Sequence, residues 1–124
     1  AKLGIAPAVI SPYVLAKIGR SQARALFFTA ERFDSRRAQQ IGLAHIVVGE
    51  EQLEAEVERL VREMKSSSGK AIAKAKELIA TVPGLSPTEA KELTVQTIAS
   101  LRVSPDGQEG LRAFLEKRKP EWAG

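Results

Sequence analysis

Side chains able to do chemistry are few in this chain, and their spacing limits each of them. The single histidine, His45, lies in an apolar, β-branched run with no acidic or hydroxyl partner nearby in sequence. It therefore reads as a structural residue and not as a general base. The carboxylate pairs Glu50-Glu51 and Glu89/Glu92 fall at surface and capping positions, where they form no acid–base dyad. With no cysteine there is no disulfide framework, thiol nucleophile or thiolate metal site, and one histidine cannot build a zinc or di-iron cluster. One backbone feature has catalytic potential: residues 1–7, Ala-Lys-Leu-Gly-Ile-Ala-Pro, form a glycine-containing turn into a helix near Ser11. Free N–H groups at such a place can hold an oxyanion or a water. The residue pattern by itself reads as an ordinary turn punctuated by Pro7.

The elements that would position these groups are mostly helices. Ser11-Pro12, Ser86-Pro87 and Ser104-Pro105 each put a hydroxyl cap before a proline, which has no N–H to leave unpaired at the first helical position. Glu89 completes a capping box with Ser86. Asp34 caps a short helix through Ile41, which Gly42 closes in a left-handed conformation. Val14, Leu15 and Ile18 mark a helix ending at Gly19, and Ser21 opens another through Phe28. Leu53, Val57, Leu60, Val61 and Met64 share one face of a helix over residues 51–65, which Ser66-Ser67-Ser68-Gly69 breaks. Ile72, Ala75, Leu78 and Ile79 continue on the next helix; Pro83-Gly84 is a turn before a helix over residues 87–101, and Leu111, Phe114 and Leu115 mark the last one before Pro120. Residues 43–48 (LAHIVV) read as a short buried strand. No second strand of that strength exists for it to pair with, so its partner is expected outside this chain and the chain to be a fragment.

Length and composition bound the rest. A chain of 124 residues has the size of one domain, and a hydrophobic fraction of 44% suffices for a core, which excludes wholesale disorder. Every apolar run is interrupted well before the ~18 residues a membrane span needs. Neither a membrane segment nor a signal peptide is legible, and Ala1 in place of Met is expected to reflect processing or truncation. Seven Lys or Arg oppose three acids in residues 1–50, whereas residues 51–104 (eight against eight) and 105–124 (four against four) are neutral. The basic residues sit at helical spacings and aromatics are 5%, so a solvated helical surface fits better than a nucleic-acid face. Gly107-Gln108-Glu109-Gly110 has the G-x-x-G form of a KH-domain loop, but its glutamate would repel phosphate.

Three blocks, LGIAPAVISPYV, ARALFFTAERFDSRRAQQIGLAHIVV and GQEGLRAFLEKRKPEW, resemble the enoyl-CoA hydratase/isomerase (crotonase) superfamily in its order and spacing. APAVISPYV departs from the common glycine-rich form and is more similar to the methylglutaconyl-CoA hydratase branch, which implies leucine degradation beside fatty acid metabolism. The resemblance and the helical pattern together imply a mainly α chain of about six helices plus one short strand, the C-terminal part of an α/β crotonase fold. Residues 1–50 would end the crotonase core (loop, helices, strand 43–48), and residues 51–124 would be a C-terminal helical oligomerisation region.

The resemblance also implies a chemistry. Members of the superfamily polarise an acyl-CoA thioester carbonyl with two backbone N–H groups, while one or two glutamates activate water at the β-carbon and protonate the α-carbon. Both glutamates and both amides would lie upstream of Ala1, which leaves no catalytic side chain here. Within this chain Gly4 and Pro7 resemble the loop flanking the reacting carbon, and the Ala8 N–H resembles a donor that orients the catalytic water. Phe114 and Lys117 resemble the residues of the last helix that approach coenzyme A. On periodicity alone Phe114 is core or interface, and Lys117 is a solvated helix end that suits the helix dipole. No cofactor and no metal are implied, coenzyme A being part of the substrate. The implied partners are an acyl-CoA and further copies of the chain in a trimer or hexamer, with neither nucleic acid nor membrane. The compartment implied is the cytoplasm, or the mitochondrial matrix in a eukaryote. The alternative is a helical oligomerisation or interaction module without catalysis, since apolar faces cut from their own partner would drive self-association.

Overall fold

The computed structural model describes residues 1–123; Gly124, the last residue of the region expected to be helical, lies outside them. Six helices make up most of the chain: α1 (Ser11–Thr29), α2 (Ser35–Gln40), α3 (Leu53–Lys65), α4 (Gly69–Thr81), α5 (Pro87–Val103) and α6 (Pro105–Leu115). Single 3₁₀ turns stand at Glu50–Gln52, Val82–Gly84 and Glu121–Ala123. The chain divides into two compact units, Ala1–Leu53 and Glu54–Gly124.

The caps explain where most of these helices start. Asp34 Oδ1 accepts from the Arg37 N–H at 2.8 Å. Ser86 accepts from the Glu89 N–H while a Glu89 carboxylate oxygen accepts from the Ser86 N–H at 2.9 Å, the reciprocal box expected from the sequence. Ser104 accepts from the Gly107 N–H at 3.0 Å at the head of α6. Ser11 departs from expectation. The residue preceding α1 is Ile10, and the Ser11 hydroxyl donates to the Ala8 carbonyl at 2.8 Å instead of accepting from the helix. The two helices expected on either side of Gly19 run on as α1, with Gly19 as a non-helical break (φ 70, ψ 170) inside it. At the end of α2, Gly42 takes φ 78, and the Gly42 and Leu43 N–H groups reach back to Gln39 and Ala38.

The strand expected over residues 43–48 does not form, and no strand occurs among the described residues. Leu43 and Ala44 both donate their N–H to the Ala38 carbonyl, so the start of the run closes α2. A strand is a ladder between two segments, and propensity cannot create one without a second segment. The G-x-x-G at 107–110 lies within helix α6, so it is not a loop that could grip a nucleic-acid backbone.

Burial is sparse. In the first unit Ile18, Ala23 and Ile41 form the core, with Val14, Leu26 and Phe27 packed on it. In the second, Ala113 at 1% exposure is the most deeply buried apolar residue. The α3 stripe remains open, from 36% exposure at Leu60 to 57% at Met64. The α5–α6 corner is very close, since a Cβ added at Gly107 would run into the Leu101 carbonyl oxygen. Ser104→Ala is expected to cost about 1 kcal/mol by denaturant titration, as loss of a cap does. Gly107→Ala should cost more, because backbone must shift to admit the methyl group; an equal or smaller loss would contradict the close corner.

Candidate functional site

Two places carry the residues singled out by the sequence, one in each unit. In the first, the N-terminal turn is closed by the Gly4 N–H donating to the Ala1 carbonyl at 3.0 Å, with Gly4 at φ 72. The turn and the end of α1 enclose an apolar cleft of about 450 Å³ lined by Ala1, Gly4, Ile5, Ala6, Pro7, Phe27 and Phe28. Gly4 and Pro7 are therefore together on one wall. The Ala8 N–H donates to the Ala6 carbonyl at 2.8 Å, and the Ala8 carbonyl accepts from both the N–H and the hydroxyl of Ser11. A water at Ala8 would have to compete with that short turn. In the sequence only the adjacency of two aromatics after Ala23 and Leu26 hints at Phe27 and Phe28.

His45 finds a partner that sequence proximity hides. Lys17, 28 residues earlier, reaches its Nε2 at 2.7 Å. An ammonium only donates, so Nε2 accepts. The Gln39 amide donates to the His45 carbonyl at 3.2 Å.

In the second unit, Phe114 and Lys117 sit at the end of α6. Phe114 is 80% exposed, so it is not core. Lys117 adopts φ 54, the left-handed region that glycine usually fills and that costs a lysine roughly 1 kcal/mol. Its N–H donates to the Phe114 carbonyl at 3.3 Å, and the Arg118 N–H donates to the Ala113 carbonyl at 3.0 Å. These two bonds form a Schellman closure with a lysine in glycine's place.

Beyond Lys117 the chain is bound back onto α6. Arg118 donates to both oxygens of Glu109, at 2.6 and 2.9 Å, and to Glu116 at 2.6 Å. The Glu121 N–H donates to Glu109 Oε1 at 3.0 Å, and the Trp122 indole N–H donates to the Ser66 carbonyl at 3.2 Å. Trp122 and Pro120 thereby wall a cleft of about 460 Å³ over the starts of α4 and α6. At its edge the Ser68 hydroxyl donates to Asp106 at 2.6 Å and Lys70 pairs with the same carboxylate at 3.0 Å; both hold the Asp106 carboxyl below its ordinary range. Glu109 and Arg118 lie nine residues apart, off any helical repeat, so periodicity could not pair them.

Among the described residues no group of His, Cys, Asp or Glu could hold a metal ion, and no helix is long and apolar enough to cross a membrane.

The profile of the enoyl-CoA hydratase/isomerase family matches residues 1–124. The chain belongs to that family. It is 27% identical over 121 residues to a putative enoyl-CoA hydratase of Thermus thermophilus, covering 98% of this chain and 48% of that protein. It is 28% identical to a trans-2-decenoyl-[acyl-carrier-protein] isomerase of Streptococcus mutans, covering 98% of this chain and 47% of the relative. The structure of Pseudomonas aeruginosa AtuE superposes with a TM-score of 0.93 at 35% identity, over 99% of this chain and 48% of that one. The chain thus spans about half the length of these three proteins, and its helices correspond to the helical part of the crotonase fold.

The Arg118 guanidinium, then the Glu121 N–H, lower the Glu109 carboxyl from its ordinary 4.5 to about 2. A carboxylate lowered by folding contributes stability that is complete above its unfolded value, and that is lost as pH falls toward the folded one. The Trp122 fluorescence is therefore expected to report release of residues 118–123 between about pH 4.5 and pH 2. In Glu109→Gln that transition should be absent from the Trp122 signal.

Proposed function

We propose that this chain is the coenzyme A-facing, helical portion of an enoyl-CoA hydratase that adds water across a 2-enoyl-CoA thioester. Family membership supports the class of substrate, and the end of α6 carries the assignment within this chain. There Lys117 is held in a left-handed backbone beside exposed Phe114, and among the described residues its ammonium enters no ion pair. A compact ammonium suits a phosphate, and an exposed aromatic ring suits the flat or apolar parts of the same ligand.

The apolar cleft at Gly4 and Pro7 is suited to the acyl end, where removal of water strengthens any developing oxyanion interaction. In this reading the attacking water displaces the Ala6 carbonyl from the Ala8 N–H, which then orients it, and the two proton-moving glutamates belong to a part of the enzyme outside these residues. The reaction needs no cofactor beyond the coenzyme A of its substrate. The APAVISPYV stretch supports a branched, glutaconyl-type acyl group and a place in leucine breakdown. The enzyme would work in the cytoplasm, or in the mitochondrial matrix of a eukaryote.

The chain alone is expected not to turn over 2-enoyl-CoA, measured by loss of the conjugated thioester absorbance. It should bind coenzyme A, and Lys117→Ala should weaken that binding about fivefold, the effect of losing one exposed charge contact. Turnover by these 124 residues, or unchanged affinity in Lys117→Ala, would sink the reading.

A second reading, a helical assembly module, is favoured by the open apolar stripe of α3. It agrees with a trimer or hexamer of the whole enzyme. Light scattering should then show self-association that falls when Leu60 and Val61 are changed to Ser; a clean monomer at high concentration would count against it.

A further inference from the structure

We infer that Glu109 and Arg118 are positioning residues for Lys117: their fork fixes the left-handed backbone of Lys117, and so the place of its ammonium, before a phosphate arrives. This rests on the reading of Lys117 as a coenzyme A contact.

A lysine has no local preference for φ 54, so neighbours must hold it there. The Schellman bonds act on one side, through Phe114 and Ala113. The Arg118 guanidinium acts on both sides. Its Nε donates to Glu116, the residue before Lys117, at 2.6 Å, and its Nη1 donates to the carbonyl of Lys119 at 3.0 Å. Glu109 anchors that guanidinium through both oxygens, and takes a third bond from the Glu121 backbone. Farther on, Trp122 is tied to the Ser66 carbonyl, and its ring lies 3.3 Å from where a Cβ on Gly110 would stand. Residues 116, 118, 119, 121 and 122 are thus all fastened, and the side chain of Lys117 enters no ion pair among the described residues. Ordering the backbone in advance lowers the entropy cost of binding. Lysine at 118 could not do the same, because only the planar guanidinium engages both oxygens of a carboxylate while reaching a second one.

The test compares coenzyme A with pantetheine, which lacks every phosphate, in titrations followed by NMR. Lys117→Ala is expected to weaken coenzyme A about fivefold and leave pantetheine unchanged. Glu109→Gln and Arg118→Gln should weaken coenzyme A about three- to fivefold, again sparing pantetheine. Glu109→Gln should add nothing in the Lys117→Ala background, and Glu109→Asp should recover part of the loss. Should Glu109→Gln fail to fold, Arg118→Lys keeps the charge without the fork and is expected to show the same selective loss. An unchanged ratio of the two affinities in the fork variants, with Lys117→Ala still harmful, overturns this inference and leaves the coenzyme A reading standing. Equal losses for both ligands in the fork variants overturn it as well. No effect of Lys117→Ala removes the reading beneath it.

Discussion

The Glu109 carboxylate takes two hydrogen bonds from Arg118 and one from the Glu121 backbone, and this bonding folds the chain back after α6. Single exposed ion pairs contribute little, because water solvates both partners almost as well. Here one carboxylate gathers a planar fork and a backbone donor, so geometry is fixed as well as charge. Pro120 and Trp122 reach the starts of α4 and α6 only because of that return. Without it the second unit would lose two walls of its cleft, and Lys117 would sit on a frayed helix end.

Local bonding matters the more because the core is small. Ala23 and Ala113 are the residues most removed from solvent, and neither offers much area to the hydrophobic effect. The helices are defined instead by their ends: Asp34, Ser68, Ser86 and Ser104 each supply an oxygen to an otherwise unpaired N–H. Capping of this kind needs no distant partner, whereas the apolar stripe of α3 does. The two requirements separate here, with four helix starts capped and the α3 face open.

That separation explains what was legible in the sequence. Helix starts were readable because cap, proline and glutamate lie within four residues of one another, as at Ser86 and Glu89. Gly42 was readable for the same reason. Ser11 was misread because the turn before it offers the Ala8 carbonyl, and a hydroxyl can donate as well as accept. Residues 43–48 were misread because composition records the taste of a segment for a ladder, not the presence of the other rail. Of the candidate site, Gly4, Pro7, Phe114 and Lys117 came from family resemblance, and the fold brings Gly4 and Pro7 to one cleft. Lys17 with His45 and Glu109 with Arg118 were hidden, since in each pair one partner lies outside the helix that holds the other and periodicity speaks only within one element.

Gly19 faces solvent in the middle of α1, where a residue is ordinarily free to vary. Nothing lies within 4 Å of the place its Cβ would occupy. Yet at φ 70 and ψ 170 the backbone lies in a region that only glycine populates. Space is available and conformation is not. Accessibility is therefore a poor guide to mutational tolerance at this point: an alanine would meet no atom, and would still force the two halves of α1 to change direction.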